Sequence, residues 1–256
     1  MLNYMKSEIY RAVHSPAVYI TALVFAAMPL CLNLVLYAFG AADPGFPYAT
    51  TSFSFSNVAA NPMIFAYGAL VVVYVLYEGS RKNGSMKNAV AYGLARHKIF
   101  AVQCIVSFLV SMILLCLTEA VYVGSACLLL EEKGAVNVAD MAGSTAAAFP
   151  VAAAALVLGV VVVQASERGF AGLVIWLCVM SFIPQGFLYL GLQVDALREA
   201  AMWMPHNFFS AMTVNQSVCE AIWDTGAGMA RCWIAGAAGL VLFSVAGVYV
   251  MRKKEL

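Results

Sequence analysis

Few residues in this chain are of the types that carry out acid–base, nucleophilic or metal chemistry, and none of them form a catalytic motif. The sequence has no GxxxxGK(S/T) to hold a nucleotide phosphate, no HExxH to hold zinc and no GxSxG around a nucleophilic serine. Its three histidines, His14, His97 and His206, fall outside the long apolar stretches. Because no acid–base pair can be assembled within the apolar stretches, we expect no catalytic residue, no metal site and no enzymatic activity on this chain.

Glu119 is the carboxylate whose position is most informative. It follows an uncharged run that begins at Ile99, and twenty helical residues cover about 30 Å, the thickness of the apolar core of a bilayer. This spacing places Glu119 near the outer membrane interface. Residues 120–130 are also apolar, and a shifted register would bring Glu119 to mid-membrane, where an ionisable group marks a translocation path. The sequence leaves both interpretations open.

The residues between 78 and 98 have the spacing of a short helix outside the membrane. Gly84 permits a turn, Ser85 is of a type that caps helix N-termini, and Gly93 suits the left-handed conformation that ends helices. Three apolar residues at positions i, i+3 and i+4 share one face: Met86, Ala89 and Val90. Lys87 and Asn88 border that face. The pattern predicts a helix of about seven residues, roughly 10 Å long, that docks into another protein.

The composition indicates that most of the chain lies in a membrane. Of 256 residues, 63% are hydrophobic and 11% are charged, and the mean hydropathy is +0.87, which excludes an ordinary water-soluble domain. The net charge of +1 gives no basic excess for nucleic acid, so the lipid bilayer is the expected partner. Continuous apolar runs predict a single-domain, all-α polytopic membrane protein with six transmembrane helices. The predicted spans are residues 18–39, 62–77, 99–118, 144–164, 170–192 and 232–251.

The distribution of lysine and arginine predicts the orientation of these spans. Eleven of the fourteen lie in the N-terminal segment, the second and fourth loops and the C-terminal tail, and three lie in the other loops. Positively charged residues accumulate on the cytoplasmic side of membrane proteins. We therefore expect a multi-pass protein of the cell membrane with both termini in the cytoplasm.

The N-terminal segment, residues 3–14, carries apolar residues at helical spacing with charged residues between them. This pattern predicts an amphipathic helix in the inner membrane interface, which includes Tyr10 and brings Lys6 and Arg11 close to anionic head groups. The alternative is that this segment is a simple basic flank, which only sets the topology of the first span.

The loop of residues 193–231 is too apolar for a free linker, and it predicts amphipathic helices on the outer membrane face, with breaks at Pro205 and at Gly226 or Gly228. The seven cysteines form no CxxC pair, and most lie in or beside apolar runs as small hydrophobic residues. Whether Cys219, in the outer loop, forms a disulfide stays open.

The loop and the N-terminal segment resemble those of ATP-binding cassette (ABC) transporter permeases of the second exporter class. In that family a cytoplasmic loop carries an acidic residue, then Gly-Ser/Thr-hydrophobe-Lys/Arg, then a small residue, a hydrophobe and Arg. The matching residues are Glu78, Gly84, Ser85, Met86, Lys87, Gly93, Leu94, Ala95 and Arg96. Residues 4–11 are similar to the elbow helix of the family, and the number of spans agrees over the whole chain. Permeases of bacitracin and lantibiotic self-protection are the most similar type.

The resemblance implies a membrane-spanning permease subunit that pairs with a second permease chain, identical or a sibling. It also implies a separate ATPase subunit, which holds ATP and Mg and docks on the loop containing Glu78, Ala89, Val90 and Arg96. The missing phosphate-binding motif independently assigns ATP hydrolysis to another chain. The apolar outer loop and the Met- and Phe-rich spans favour export of a lipophilic or peptide substrate.

Two other classes of function remain as alternatives. A secondary transporter without an ATPase needs intramembrane ionisable groups, for which Glu119 is the candidate. The second alternative is a membrane enzyme or a scaffold, and the missing catalytic residues argue against the enzyme.

The last predicted span contains a run of small residues, Ala235-Gly236-Ala237-Ala238-Gly239. Ala235 and Gly239 are four residues apart and share one side of the helix, where small side chains allow a close approach of a second helix. That helix belongs either to the second permease chain or to the same chain.

Overall fold

The computed structural model describes residues 1–43, 45–82, 85–166, 169–210, 212–215 and 218–253, with side chains over the same ranges except 80–82, 85–87, 210, 212–215 and 218–222. The helices are α1 (Leu2–Val13), α2 (Pro16–Ala42), α3 (Thr51–Ala59), α4 (Ile64–Lys82), α5 (Ser85–Ala91), α6 (Arg96–Leu129), α7 (Val138–Ala165), α8 (Gly169–Leu177), α9 (Ile183–Leu190), α10 (Asp195–Ala201), α11 (Pro205–Ser210) and α12 (Gly226–Lys253). A π-helical turn (Cys178–Phe182) joins α8 to α9, and a 3-10 turn (Ile222–Asp224) precedes α12. Between them, β1 (Met212–Asn215) pairs antiparallel with β2 (Val218–Ala221).

The long helices are of the length and apolarity that cross membranes. Within the described ranges, five helical stretches qualify: α2, α6, α7, α8 continued through the π turn into α9, and α12. A sixth crossing is present if α3 and α4, which meet at an angle of 69°, count as one bent span. The protein is therefore an all-α polytopic membrane protein, and the fold class predicted from composition is confirmed.

The helices define two ends of the bundle. Four helix segments pack together at one end, here called the terminal end: α1, the end of α4, the start of α6 and the end of α12. They meet through Ala12, Tyr77, Phe100 and Met251. The opposite end, here called the far end, holds α3 and the segment between α9 and α12. The spans therefore alternate in direction as the sequence predicted.

Helix α6 is longer than the third predicted span. That span covers residues 99–118, and α6 continues for another eleven residues to Leu129. Glu119 lies within this helix, and the Thr145 hydroxyl of α7 donates a hydrogen bond of 2.6 Å to Glu119 Oε1. With 34 residues, α6 is about 50 Å long.

Helix α7 is the centre of the bundle. Its residues 154–164 are all buried, and it packs between α4 and α12. Small residues make this packing close: a Cβ atom on Gly236 of α12 would lie 2.6 Å from the backbone carbonyl carbon of Pro150, and one on Gly239 would lie 3.1 Å from Ala154 Cβ. Of the two interpretations of the small-residue run in α12, the structure supports packing within the same chain.

Helices α3 and α4 meet at an angle across a break that contains Pro62. The stretch TSFSFSN forms α3, which the sequence did not predict as a helix, and the Thr50 hydroxyl caps it by accepting a hydrogen bond from Phe53 N. Its Ser54 hydroxyl donates to Asn33 Oδ1 at 2.7 Å, and Asn33 Nδ2 donates to Ser125 Oγ at 2.8 Å. Tyr122 also donates to the Ser54 carbonyl. This fully buried group of side chains holds α3 against α2 and α6.

The segment between α9 and α12 differs in part from its prediction. We expected amphipathic helices over residues 193–231, and the structure has two short helices, α10 and α11, followed by the β1–β2 hairpin. Pro205 begins α11, as a proline at the first helical position should, whereas Gly226 is the first residue of α12 and Gly228 lies buried inside it. The side chain of Cys219 lies outside the described residues.

Candidate functional site

The short helix predicted in the second loop is present as α5. It runs from Ser85 to Ala91, seven residues, and Gly93, whose φ is +82°, lies two residues after its end. Leu94 N donates to the Ala89 carbonyl at 3.2 Å and Gly93 N donates to the Val90 carbonyl at 2.9 Å. These two bonds form a Schellman motif, which requires the left-handed conformation that glycine adopts without strain. Ser85 is the first residue of the helix, not the residue before it.

The two faces of α5 differ in exposure. Ala89 is 8% exposed and Val90 is half-buried, so the predicted apolar face packs at least in part on the protein's own helices α4 and α6. Asn88 and Tyr92 face outwards, and Tyr92 is 89% exposed. Gly84 and the side chains of Ser85, Met86 and Lys87 lie outside the described residues.

Tyr92 is the most exposed large hydrophobic residue among those the structure describes, and the sequence did not single it out. A sequence signal existed: Tyr92 follows the last residue of α5 and precedes the glycine that caps it. An aromatic residue at that position is held by the cap while its ring remains accessible. Tyrosine is among the residues enriched at the energetic centres of protein interfaces.

Glu78 and Arg96, the charged residues at the two ends of the predicted docking loop, both belong to long helices. Glu78 lies in the last part of α4 against Gly169, where an added Cβ atom would lie 2.6 Å from Glu78 Oε1. One turn earlier, the Tyr74 hydroxyl donates to the Gly169 carbonyl at 2.8 Å. Arg96 is the half-buried first residue of α6. The loop is therefore anchored to the start of α8 as well as to α4 and α6.

Helix α1 packs more deeply against the bundle than we expected. Tyr10 is exposed and stacks on His14 with ring centroids 3.9 Å apart, as suits an interfacial residue. Arg11 also contacts the bundle, which the sequence did not predict. Its guanidinium forms an ion pair with Glu8, which is 6% exposed, and donates a 3.3 Å hydrogen bond to the Leu76 carbonyl of α4. The buried carboxylate of Glu8 attracts Arg11 inwards, since an unpaired buried charge is costly.

The Glu8–Arg11 pair belongs to a larger buried polar group at the terminal end. Arg11 lies 5.4 Å from the centre of the Tyr77 ring, and the Tyr77 hydroxyl donates to the Gln103 carbonyl at 3.2 Å. Gln164 Nε2 then donates to Gln103 Oε1 at 3.1 Å. This group, which we name the terminal polar cluster, joins α1, α4, α6 and α7.

Tyr4 of α1 adjoins the same cluster. Burial of the Tyr4 phenol, together with the nearby Glu8 carboxylate, raises the pKa of Tyr4 above its ordinary value. The phenol therefore stays protonated and remains a hydrogen-bond donor at physiological pH. The sequence did not identify these interactions, because Tyr4, Glu8 and Gln103 each occur in patterns that a plain amphipathic helix or apolar span also shows.

Glu119 lies inside α6 and not at its end, about 15 Å before Leu129. Its carboxylate is half-buried and accepts the hydrogen bond from Thr145. No group of three or more histidine, cysteine, aspartate or glutamate residues suited to a metal ion occurs in the described part of the chain. The candidate functional features are thus the exposed surface around α5, the terminal polar cluster and one carboxylate within a long apolar helix.

These features define a polytopic α-helical membrane protein with a structured loop helix at the end of the bundle where α1 lies and α12 ends. A comparison with protein-family models found no match, and a comparison with curated protein sequences found none either.

Proposed function

We propose that this chain is the membrane-spanning permease subunit of an ABC transporter, which exports a lipophilic or peptide substrate using ATP hydrolysed on a separate subunit. The observation that carries the proposal is α5, a seven-residue helix with a Schellman end that presents an exposed tyrosine at the terminal end. The resemblance of residues 78–96 to the docking loop of such permeases supports the same conclusion.

A helix of seven residues is too short to be stable by itself in water. The packing of Ala89 and the Gly93 cap compensate for this and fix the helix between α4 and α6. A partner that pushes on α5 therefore moves two membrane helices together. This rigid attachment is what a transporter needs if ATP-driven closure of one subunit is to change the arrangement of helices in another.

The orientation that this proposal requires follows from the charge distribution. If the terminal end is cytoplasmic, a cysteine at Gly45 in the far-end loop reacts with an impermeant thiol reagent in intact cells, and a cysteine at Asn88 does not. Both residues are exposed in the structure, so failure to react reports the membrane side and not burial. The measurement is made in a cysteine-free background. Reaction at Asn88→Cys from outside would contradict both the orientation and the docking role of α5.

The docking role predicts a specific effect of removing the Tyr92 ring. We expect Tyr92→Ala to leave expression and membrane insertion unchanged but to reduce the co-purified ATPase subunit to below about a tenth, because loss of a central interface tyrosine costs about 2 kcal/mol or more. The measurement is affinity purification from native membranes with quantification of a P-loop ATPase and of its ATP hydrolysis. Tyr189→Ala is the matched control, since Tyr189 is 71% exposed at the far end. Equal loss in the two variants, or no loss in Tyr92→Ala, would count against the proposal.

Met86 provides a second variant on the same helix. Met86→Asp replaces an apolar side chain of the predicted docking face with a charge and changes no lysine or arginine, so the topology is preserved. We expect this variant to lose the ATPase subunit or to uncouple ATP hydrolysis from transport. Substitution of Lys87 should have a smaller effect that depends on salt concentration, since exposed charges are screened. If Met86→Asp were silent, the loop would serve only to set the topology.

Glu119 supports a second candidate function, that of a secondary transporter without an ATPase. A carboxylate within an apolar helix, held by a threonine hydroxyl, is a group to which an ion gradient couples in such proteins. Transport by the isolated chain in proteoliposomes, driven by a proton or sodium gradient and abolished in Glu119→Gln, would favour this function. Transport that requires ATP and a second subunit would favour the permease.

A further inference from the structure

A cavity of about 510 Å³ lies in the groove between α6, α7 and α12. Its lining is apolar, and the residues that the argument uses are Phe108, Phe149, Ala153 and Trp233. The rings of Phe108 and Phe149 contact each other with centroids 5.9 Å apart. Trp233 is 52% exposed and forms part of the rim, so the groove opens on the outer surface of the bundle. This volume is within the range of ligand pockets.

Glu119 continues the same groove towards the far end. On α6, Phe108, Met112, Leu115 and Glu119 follow one another at spacings of four, three and four residues, so they form one stripe. On α7, Thr145 precedes Phe149 by four residues and lies one turn, about 6 Å, beyond it. Because Thr145 donates to Glu119 at 2.6 Å, the carboxylate lies between the same two helices as the cavity.

The Glu119 carboxylate keeps most of its capacity to bind a cation. The single Thr145 hydroxyl proton is shared between Glu119 Oε1 and the Met141 carbonyl, whereas a carboxylate has about four acceptor sites. Among the described side chains, no lysine or arginine forms an ion pair with Glu119. An anionic group next to an apolar cavity is complementary to a molecule that is apolar along its length and positive at one end.

We propose that the groove between α6, α7 and α12 binds an amphipathic cation, with its hydrocarbon part in the cavity and its cationic group against Glu119. The ring of Trp233 covers the hydrocarbon part, and Met112 and Leu115 connect the cavity to the carboxylate. The proposal goes beyond the proposed function, because it concerns binding by this chain alone and does not depend on an ATPase partner.

The test measures contact with Trp233 directly. The purified full chain is placed in phosphatidylcholine nanodiscs and titrated with 12-bromododecyltrimethylammonium, whose bromine quenches tryptophan fluorescence on contact. The neutral 12-bromododecanol is titrated in parallel. Subtracting the signal of Trp233→Phe isolates the contribution of this tryptophan from those of the other three.

We expect saturable quenching with a Kd at least tenfold lower for the cation than for the alcohol. Glu119→Gln should raise the Kd of the cation at least tenfold and leave that of the alcohol unchanged, which also shows that the variant is folded. Glu132→Gln, which changes an exposed carboxylate outside the groove, should alter neither. Ala153→Phe fills the cavity and should abolish the Trp233-dependent quenching by both probes.

Two results would overturn the proposal. Equal Kd values for the cation and the alcohol in the unmodified protein would show a groove that accepts only hydrocarbon, such as a lipid acyl chain. Absence of Trp233-dependent quenching would show that the groove binds neither probe. If Glu119→Gln did not fold, the comparison of the two probes in the unmodified protein would still decide.

Discussion

Replacing Arg11 by methionine is expected to destabilise the protein by about 1–3 kcal/mol, the cost of leaving a buried acceptor without its partner, because the Arg11 side chain itself is partly exposed. The substitution keeps an apolar stem of similar length but leaves Glu8, which is 6% exposed, without its counter-charge. It also removes the hydrogen bond to the Leu76 carbonyl. We expect α1 to separate from the bundle, which is measurable as a lower unfolding temperature and as faster amide exchange over residues 2–13.

The double variant Glu8→Gln/Arg11→Met isolates the charge effect. If the penalty of Arg11→Met arises from the stranded Glu8 carboxylate, the double variant should recover most of the stability, because no buried charge remains. Lys6→Met is the matched control, since Lys6 is an exposed cation on the same helix. A large effect of Lys6→Met, or no recovery in the double variant, would indicate that α1 is held by attraction to lipid head groups instead.

Gly236→Ala is expected to destabilise the helix packing by about 1–3 kcal/mol, the usual effect of overpacking a close contact. The added Cβ atom would lie 2.6 Å from the backbone of Pro150, which cannot rotate away as a side chain can. Helices α7 and α12 must therefore separate along much of their contact. A fluorescence-based melting curve in detergent measures the change.

Gly124→Ala is the control for helix propensity. A Cβ atom at Gly124 of α6 meets no atom within 4 Å, so only the intrinsic preference of alanine for helix remains, and we expect a gain of about 0.5–1 kcal/mol. The two glycine-to-alanine changes should thus have opposite signs. If Gly236→Ala were stabilising as well, α12 would not contact α7 as closely as the structure indicates.

Local patterns in the sequence were sufficient to predict the spans and α5. An apolar run long enough for a bilayer has few alternatives, and the spacing from Gly84 to Gly93 contains the residues that start and end a short helix. Both predictions depend on residues close together in the chain. For the same reason, the Gly93 cap was predicted correctly down to its left-handed conformation.

The features that the sequence did not predict depend on contacts between residues far apart. The sequence left the position of Glu119 open because the Thr145 hydroxyl, 26 residues away, was not known to face it. The hydrogen bond of Arg11 was not predicted because its acceptor, the Leu76 carbonyl, lies 65 residues away. The short polar helix α3 was missed for a similar reason, since its partners belong to other spans: Asn33 accepts from the Ser54 hydroxyl and Tyr122 donates to the Ser54 carbonyl.

Helix α6 differs from α2, α7 and the fifth span in a way that matters for motion. Proline interrupts α2 at Pro29 and α7 at Pro150, and the fifth span contains a π turn, whereas no proline occurs along the 34 residues of α6. Breaks of these kinds let a helix bend, so a displacement of one end of such a span is passed on only in part to the other end. A helix without a break moves as one rigid body. A tilt imposed on α6 at Gln103 would therefore reappear about 29 Å along the helix as a displacement of Tyr122 and of the Ser54 carbonyl of α3, to which the Tyr122 hydroxyl donates.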